Sequence, residues 1–177
     1  MIAGRRTLPD GERRILSRQA CARILAMPQI EEADTVYLYA AVRGEVDVTS
    51  IFEELLRRGK RAAFPRVDGS SMAFFYVTGP EDLKKGAFGI PEPAPGCVRA
   101  NAPLAAVVTP GVAFTRSGIR LGYGGGYYDR FFAAEPGHFK AGICYDFQIV
   151  EDKELIPELH DAAMDAVAAP HMLISRT

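Results

Sequence analysis

The sequence predicts an α/β fold, a single layered domain over residues 1–177 in which a mostly parallel or mixed sheet is flanked by helices. Apolar, β-branched stretches alternate with amphipathic ones, and this strand, helix, strand alternation is typical of layered α/β domains. The strand-like stretches are apolar along their whole length, as in strands covered on both faces. A chain of 177 residues that is 48% hydrophobic is also long enough to bury one substantial core.

The first elements are a helix and a strand. Apolar residues recur at helical spacing in the stretch 10–27, at Leu16, Ala20 and Ile24. Pro28 is expected to end this helix, since proline is unfavourable in a helix interior. The stretch 35–42, TVYLYAAV, is apolar and aromatic without a helical period. It is therefore predicted to be a buried strand.

The second helix is predicted over 48–59. Thr49 or Ser50 can cap its free N–H groups, and Ser50 with Glu53 fits a capping box. Gly59 lies where helices commonly end in a left-handed residue. This helix should carry one buried apolar face.

The remaining elements alternate in the same way. Residues 60–67 and 72–77 are predicted strands, and the first should end at Phe64 because the residue before a proline prefers extended geometry. The proline-rich stretch 80–103 is predicted to be a loop packed onto the body of the domain. Further predictions are a central strand over 104–115 broken at Pro110–Gly111, a helix over 127–134, and closing strands within 139–145 and 165–175.

Composition excludes several classes of function. Lys plus Arg (21) nearly balances Asp plus Glu (22), so the chain lacks the basic excess typical of nucleic-acid binding. The cysteines, Cys21, Cys97 and Cys144, form no C-x-x-C pair, which argues against a zinc site or a disulfide framework. No stretch approaches the ~18 to 20 apolar residues that cross a bilayer. We therefore expect a soluble cytoplasmic protein with no membrane partner.

The stretch RLGYGGGYYDR, residues 120–130, is the strongest functional signal. Consecutive glycines can alternate between right- and left-handed backbone and turn several N–H groups toward an anion, and we expect Gly125 to need such freedom. A helix start directly after the glycines adds a positive end. The P-loop and G-x-G-x-x-G fingerprints are both missing. The stretch is thus either a phosphate-binding loop or a tight structural turn.

The flanking side chains favour binding. Tyr123, Tyr127 and Tyr128 can offer ring faces and hydroxyls to a ligand, and Arg120 can neutralise a phosphate. Asp129 can hold a divalent cation that bridges phosphates, or it can be a first-turn charge of the following helix.

A wider resemblance covers almost the whole chain. The stretch TPGVAFTRSGIRLGYGGGYYDRFF resembles the signature of the 5-formyltetrahydrofolate cyclo-ligase family. Four other segments occur in that family's order: RRTLPDGERRILS, EVDVTSIFEELLRRGKRAAFPRV, LKKGAFGIPEP and ELIPELHDAAMDAV. The resemblance implies an enzyme that uses ATP and Mg²⁺ to convert 5-formyltetrahydrofolate to 5,10-methenyltetrahydrofolate. ADP and phosphate would be released through a phosphorylated formyl intermediate.

The resemblance also implies roles for particular residues. Arg120 and Tyr123 would be catalytic, while Asp129 and Asp161 would hold Mg²⁺. Glu45 would contact the pterin. Ala40 and Phe88 would line the folate pocket. The ATP-binding residues would be Arg120, Leu121, Gly122, Tyr123, Gly124, Gly125, Gly126, Tyr127 and Tyr128.

One departure from the family's pattern concerns the N-terminus. The family usually begins with further helical turns whose Lys and Arg reach ATP, and we expect this chain to lack them. Arg5 and Arg6 lie close to that region and are candidates to substitute. An alternative function is therefore a folate-binding or regulatory paralogue that has lost turnover. A third is another nucleotide-dependent transferase on a similar scaffold. The chain is expected to be a monomer or a weak dimer.

Overall fold

In the computed structural model, which describes residues 1–86, 89–158 and 161–176, the strands and helices alternate as predicted. The helices are α1 (Ile2–Thr7), α2 (Asp10–Leu25), α3 (Pro28–Glu32), α4 (Thr49–Arg57) and α5 (Tyr127–Ala134). The strands are β1 (Thr35–Tyr37), β2 (Arg61–Asp68), β3 (Ser71–Val77), β4 (Leu83–Lys85), β5 (Pro91–Pro93), β6 (Ala106–Pro110), β7 (Ala113–Thr115), β8 (Arg120–Leu121), β9 (Phe139–Ile143), β10 (Ile149–Val150), β11 (Ala166–Ala169) and β12 (Met172–Ser175).

Within these described residues, the main sheet has the strand order β12-β11-β9-β6-β1-β2-β3. Its central strands are parallel, whereas β3 and β12 pair antiparallel with their neighbours at the two edges. A smaller sheet has the order β10-β7-β8, and β4 and β5 form a hairpin. The predicted α/β fold with a mostly parallel, mixed sheet is confirmed.

Helices cover both faces of the main sheet. Side chains of α2 and α4, such as Ile24 and Ile51, share one buried cluster with Val36 of β1. Tyr37, the next residue along β1, belongs to a second cluster that contains Phe131 of α5. Successive side chains of a strand point to opposite faces, so β1 is buried on both sides. This explains why its sequence shows no polar alternation.

Several predicted boundaries differ from the structure. The β1 ladder covers only Thr35–Tyr37, and α2 ends at Leu25. Pro28 begins α3, at a helical position where a missing N–H costs little. The predicted end of β2 at Phe64 is wrong, since the strand continues through Pro65 and pairs with β3. Pairing between β1 and β2 stops at Ala63, so the rest of β2 pairs with β3 alone. A strand that is paired on one side only tolerates proline, because its other side needs no N–H donor.

The structure contradicts the prediction for the start of α4 and confirms the prediction for its end. The prediction of a capping box between Ser50 and Glu53 is wrong. Instead, the carboxylate of Asp47 accepts hydrogen bonds from the backbone N (3.0 Å) and the hydroxyl (2.6 Å) of Thr49. Gly59 has a φ of 71°, so the left-handed end is confirmed. The backbone N of Lys60 donates to the carbonyl of Leu55 at 2.9 Å, which closes the last turn.

The segment 80–103 contains more regular structure than the predicted loop, since β4 and β5 lie within it. It packs on the body as expected: the Arg66 guanidinium donates to the carbonyls of Pro93 and Ala94. Near the C-terminus, the predicted strand region 165–175 forms the β11–β12 hairpin. Among the described residues, no helix combines the length and apolarity that crossing a membrane requires.

Candidate active site

A cavity of about 480 Å³ opens beside the loop that follows β1. This volume falls within the range that small-molecule sites occupy. The predicted substrate residues Ala40 and Glu45 both line it, whereas Phe88 lies outside the described residues. The other lining residues are Arg13, Tyr39, Ala41, Val42, Arg43, Gly44, Asp47, Val48, Thr49, Phe52, Phe64, Pro80, Leu83 and Pro91. The cavity is therefore closed in part by the packed segment 80–103.

Glu45 is the buried carboxylate of this cavity, with 6% of its surface exposed. Its Oε2 accepts a hydrogen bond from the backbone N of Val42 at 2.9 Å. Its Oε1 accepts one from the hydroxyl of Tyr123 at 2.8 Å. The Nη1 atom of Arg5 lies 4.0 Å from the same Oε1. Glu45 is thus a fixed acceptor and not a solvated loop charge.

The protonation of Glu45 depends on opposing effects. Burial raises the pKa of this carboxyl, because the charged form loses hydration. The hydrogen bonds from Val42 and Tyr123, and then the charges of Arg5 and Arg43, lower the pKa and oppose that effect. Partial burial and the nearby Glu45 carboxylate raise the pKa of Tyr123 to about 12. The Tyr123 hydroxyl therefore stays protonated at neutral pH and can donate.

The loop that carries Glu45 is held by side chains from three directions. The Tyr39 hydroxyl donates to the carbonyl of Val46 at 2.7 Å, and the Tyr145 hydroxyl donates to the carbonyl of Glu45 at 3.3 Å. The hydroxyl of Ser17 accepts from the backbone N of Asp47 at 3.1 Å. These contacts fix the loop in place, so the fold itself determines where the Glu45 carboxylate lies.

Arg5 is a site residue that the sequence did not distinguish from its neighbour. Only 1% of Arg5 is exposed, although it belongs to a helix of six residues, while Arg6 is exposed. Its Nη1 donates to the carbonyl of Gly111 at 3.3 Å, and its Nη2 donates to the hydroxyl of Tyr123. No signal in a run of two arginines could show which one is buried, because that depends on the packing of α1.

The glycine loop has left-handed backbone at Gly124 (φ 86°) and at Gly126 (φ 62°), which is the N-cap of α5. Gly125 lies outside the left-handed region, so the expectation for that residue is wrong. A Cβ atom at Gly125 would instead approach the Tyr127 ring to 2.9 Å. A Cβ at Gly124 would meet no atom within 4 Å among the described residues. The loop is therefore open at Gly124, as access by a ligand requires.

The buried Arg120 and the partly exposed Asp129 form an ion pair beside this loop. The Nη2 of Arg120 lies 2.8 Å from Oδ1 of Asp129, and 8% of Arg120 is exposed. The same Oδ1 accepts from the backbone N of Ala162 at 3.3 Å. Within the described residues, Nε of Arg120 has no hydrogen-bond partner. Such a donor is costly unless a ligand or water completes it.

The two predicted metal ligands lie in one region. Ala162, which contacts Asp129, directly follows Asp161 in the chain. The Oδ2 of Asp161 accepts from the backbone N of Glu158 at 2.8 Å. In the described part of the chain, no group of three or more His, Cys, Asp or Glu side chains is arranged to hold a metal. A pair of carboxylates suits Mg²⁺, which keeps several waters and takes further ligands from phosphates.

The fold and the site together define a class: an α/β protein whose glycine loop leads into a helix and adjoins a pocket with a buried carboxylate. Comparison with known proteins makes this assignment specific. The chain matches the model of the 5-formyltetrahydrofolate cyclo-ligase family over residues 1–170. It is also 33% identical over 175 residues to the 5-formyltetrahydrofolate cyclo-ligase of Escherichia coli K12, covering 94% of each chain. The chain therefore belongs to the 5-formyltetrahydrofolate cyclo-ligase family and is an enzyme of folate metabolism, a ligase.

Solved structures agree with this assignment. The 5,10-methenyltetrahydrofolate synthetase of Aquifex aeolicus is 34% identical, with a TM-score of 0.85 over 98% of this chain and 88% of that one. A 5,10-methenyltetrahydrofolate synthetase from Mycoplasma pneumoniae has a TM-score of 0.76 over 96% of this chain and 94% of that one. At 23% identity, the second likeness shows the shared fold alone.

Proposed function

We propose that this chain converts 5-formyltetrahydrofolate to 5,10-methenyltetrahydrofolate in a reaction that depends on ATP and Mg²⁺ and releases ADP and phosphate. One observation carries the proposal beyond family membership. The hydrogen bond between Tyr123 and Glu45 joins the glycine loop to the pocket, so ligands bound to each would be neighbours. Transfer of a phosphoryl group between two substrates requires that proximity.

Folate binding is assigned to the pocket. The Glu45 carboxylate, held by Val42 and Tyr123, can accept hydrogen bonds from the amino group and ring N–H of a pterin. Hydrogen bonds to an ionised acceptor are stronger than neutral ones, so Glu45 would orient the ring. Ala40 would leave room along the wall, and Phe88 is proposed to complete the pocket.

Phosphate binding is assigned to the loop. Its backbone N–H groups from Leu121 to Tyr128 and the side chain of Arg120 would hold the ATP phosphates, and the absence of any described atom within 4 Å of a Cβ at Gly124 supports access to the loop. Asp129 and Asp161 would hold Mg²⁺. When bound, Mg²⁺ would neutralise phosphate charge. Arg120 and Tyr123 would act closest to the chemistry, Arg120 as a fixed cation and Tyr123 as a partly exposed side chain whose hydroxyl proton is donated to Glu45.

The proposed reaction has two steps. An N-formyl amide is a poor electrophile, so the formyl oxygen first takes the terminal phosphoryl group of ATP and ADP leaves. The N10 amine of the same folate then attacks the formyl carbon and gives up its proton to solvent, the ring closes, and the carbon–oxygen bond breaks to release phosphate. The chain's part is to position both substrates and to stabilise charge, as in other phosphoryl transfers.

We also propose that residues 1–177 form a single domain that acts in the cytoplasm as a monomer or weak dimer. The near balance of 21 basic and 22 acidic residues supports small-molecule substrates and not nucleic acid.

The test is incubation with 5-formyltetrahydrofolate, ATP and Mg²⁺, with product followed by near-ultraviolet absorbance and ADP measured in parallel. We expect both signals, and neither when ATP is omitted. Stabilisation by folate without ADP release would indicate the binding paralogue instead. Phosphotransfer that does not need folate would indicate a different transferase.

A further inference from the structure

Arg5 carries a full positive charge at a position that is almost completely shielded from solvent. Its surface is 1% exposed, and its Nε has no hydrogen-bond partner among the described residues. Burying a guanidinium is costly unless its charge is balanced. A helix as short as α1 could be anchored more cheaply by an apolar side chain. The contacts that Arg5 makes therefore indicate what the charge is for.

The guanidinium of Arg5 joins three parts of the site. Its Nη1 donates to the carbonyl of Gly111, just after β6, at 3.3 Å. Its Nη2 donates to the hydroxyl of Tyr123 in the glycine loop, and that hydroxyl donates in turn to Glu45 at 2.8 Å. Its charge also lies 4.0 Å from the same Glu45 oxygen. Arg5 thus holds Glu45 in two ways, through the hydroxyl of Tyr123 and by direct attraction between the two charges.

We propose that Arg5 is a positioning residue for folate binding: with the Tyr123 hydroxyl, it fixes the Glu45 carboxylate in the orientation that accepts the pterin. This inference rests on the proposed function, since it assigns folate to the pocket of Glu45. It also revises the expectation that Arg5 substitutes for a nucleotide-binding cation. Both Nη atoms of Arg5 are engaged inside the protein, which leaves its exposed neighbour Arg6 as the freer cation.

A purely structural role for Arg5 makes a different prediction. If Arg5 only anchored α1, its loss would lower stability and would affect folate and nucleotide binding alike. If it positions Glu45, its loss weakens folate binding selectively. The effect then also depends on the presence of the Glu45 carboxylate.

The experiment measures binding of 5-formyltetrahydrofolate by calorimetry without nucleotide, and binding of a non-hydrolysable ATP analogue with Mg²⁺. The variants are Arg5→Gln and Arg5→Lys, with Arg14→Gln at an exposed arginine of α2 as the matched control, and thermal unfolding verifies that each folds. We expect Arg5→Gln to weaken folate binding at least about tenfold, since it removes a charged donor from a buried network. Arg5→Lys keeps the positive charge but lacks the planar guanidinium with its paired donors, so it should recover part of the lost folate affinity. In turnover assays KM for folate should rise more than kcat falls.

A double-mutant cycle completes the test. In a Glu45→Gln background, Arg5→Lys and Arg5→Gln should change folate affinity by less than about twofold, because the carboxylate that Arg5 positions is gone. An unchanged folate affinity in both Arg5 variants, an equal loss for the ATP analogue, or a full effect in the Glu45→Gln background would each overturn the inference. If the unsubstituted chain fails to bind folate at all, the proposed function is overturned as well.

Discussion

The hydroxyl of Tyr123 donates a 2.8 Å hydrogen bond to Glu45, 78 positions earlier in the chain. Tyr123 belongs to the glycine loop and Glu45 to the loop after β1, so this bond joins two regions that the sequence presents separately. Because 40% of the surface of Tyr123 remains exposed, this residue can also face a ligand. The pocket and the glycine loop therefore meet at one side chain.

Replacing Tyr123 by phenylalanine tests this bond. The Tyr123→Phe variant keeps the ring but leaves Glu45 with one donor fewer and Nη2 of Arg5 without its acceptor. We expect folate affinity to fall by about 1–2 kcal/mol, the usual cost of an unpaired buried group. Calorimetric titration measures this change, with Tyr76→Phe on β3 as the control, which should bind folate normally. Equal affinities in the two variants would contradict a role for the hydroxyl.

The glycine loop can be tested at its left-handed position. In Gly124→Ala the added methyl meets no atom of the described residues within 4 Å, so the cost is backbone strain of about 1–2 kcal/mol. Gly59→Ala is a matched control, because that residue also has left-handed φ (71°) and open surroundings but lies at the end of α4. Both variants should unfold at lower temperature, whereas only Gly124→Ala should bind the ATP analogue more weakly. Gly124→Asn should recover part of that loss, since asparagine tolerates left-handed backbone.

Asp129→Asn tests the ion pair with Arg120 together with the proposed metal site. In this variant the buried guanidinium of Arg120 would lose its counter-charge. We expect a loss of about 3 kcal/mol of stability together with a higher Mg²⁺ requirement for turnover. Chemical denaturation and a Mg²⁺ titration of the activity measure the two effects. Asp152→Asn, an exposed control at the Ser117 contact, should change neither.

Folate binding should weaken in acid for a reason that is local to Glu45. The groups facing this carboxylate are Arg5, Arg43, Tyr39, Tyr123 and Tyr128. Burial raises the pKa of Glu45, so the ionised acceptor is lost at a higher pH than for an exposed glutamate. The sign for stability is opposite: the folded state binds this proton more tightly than the unfolded state, so Glu45 alone favours folding as pH falls through the raised pKa.

Calorimetric titrations over a pH series, with thermal unfolding measured alongside, separate these two effects. The affinity of the unsubstituted chain should fall toward acid before its unfolding temperature does. Glu45→Gln should bind weakly at every pH and lack this transition. If Glu45→Gln showed the same pH dependence, another group would be responsible.

Local features of the site were accessible from the sequence because they depend on a few consecutive residues. The glycines that give the loop its backbone freedom, the helix that starts at Tyr127 and the left-handed end of α4 at Gly59 are all of this kind. The apolar strands also predicted a sheet buried on both faces. Errors arose where neighbours in space decided the outcome. The Asp47 carboxylate displaced the expected capping box, and one-sided pairing allowed β2 to continue past Pro65.

The α/β class, the family and the position of the glycine loop follow from periodicity and from motifs along the chain, so the sequence was enough to predict them. The burial of Arg5, and not Arg6, at the site depends on tertiary packing. Arg5 meets Tyr123 across 118 positions, and Tyr123 meets Glu45 across 78. These contacts form only when α1, the loop after β1 and the glycine loop pack together at one edge of the sheet. No local sequence pattern therefore shows which of the two arginines this packing buries.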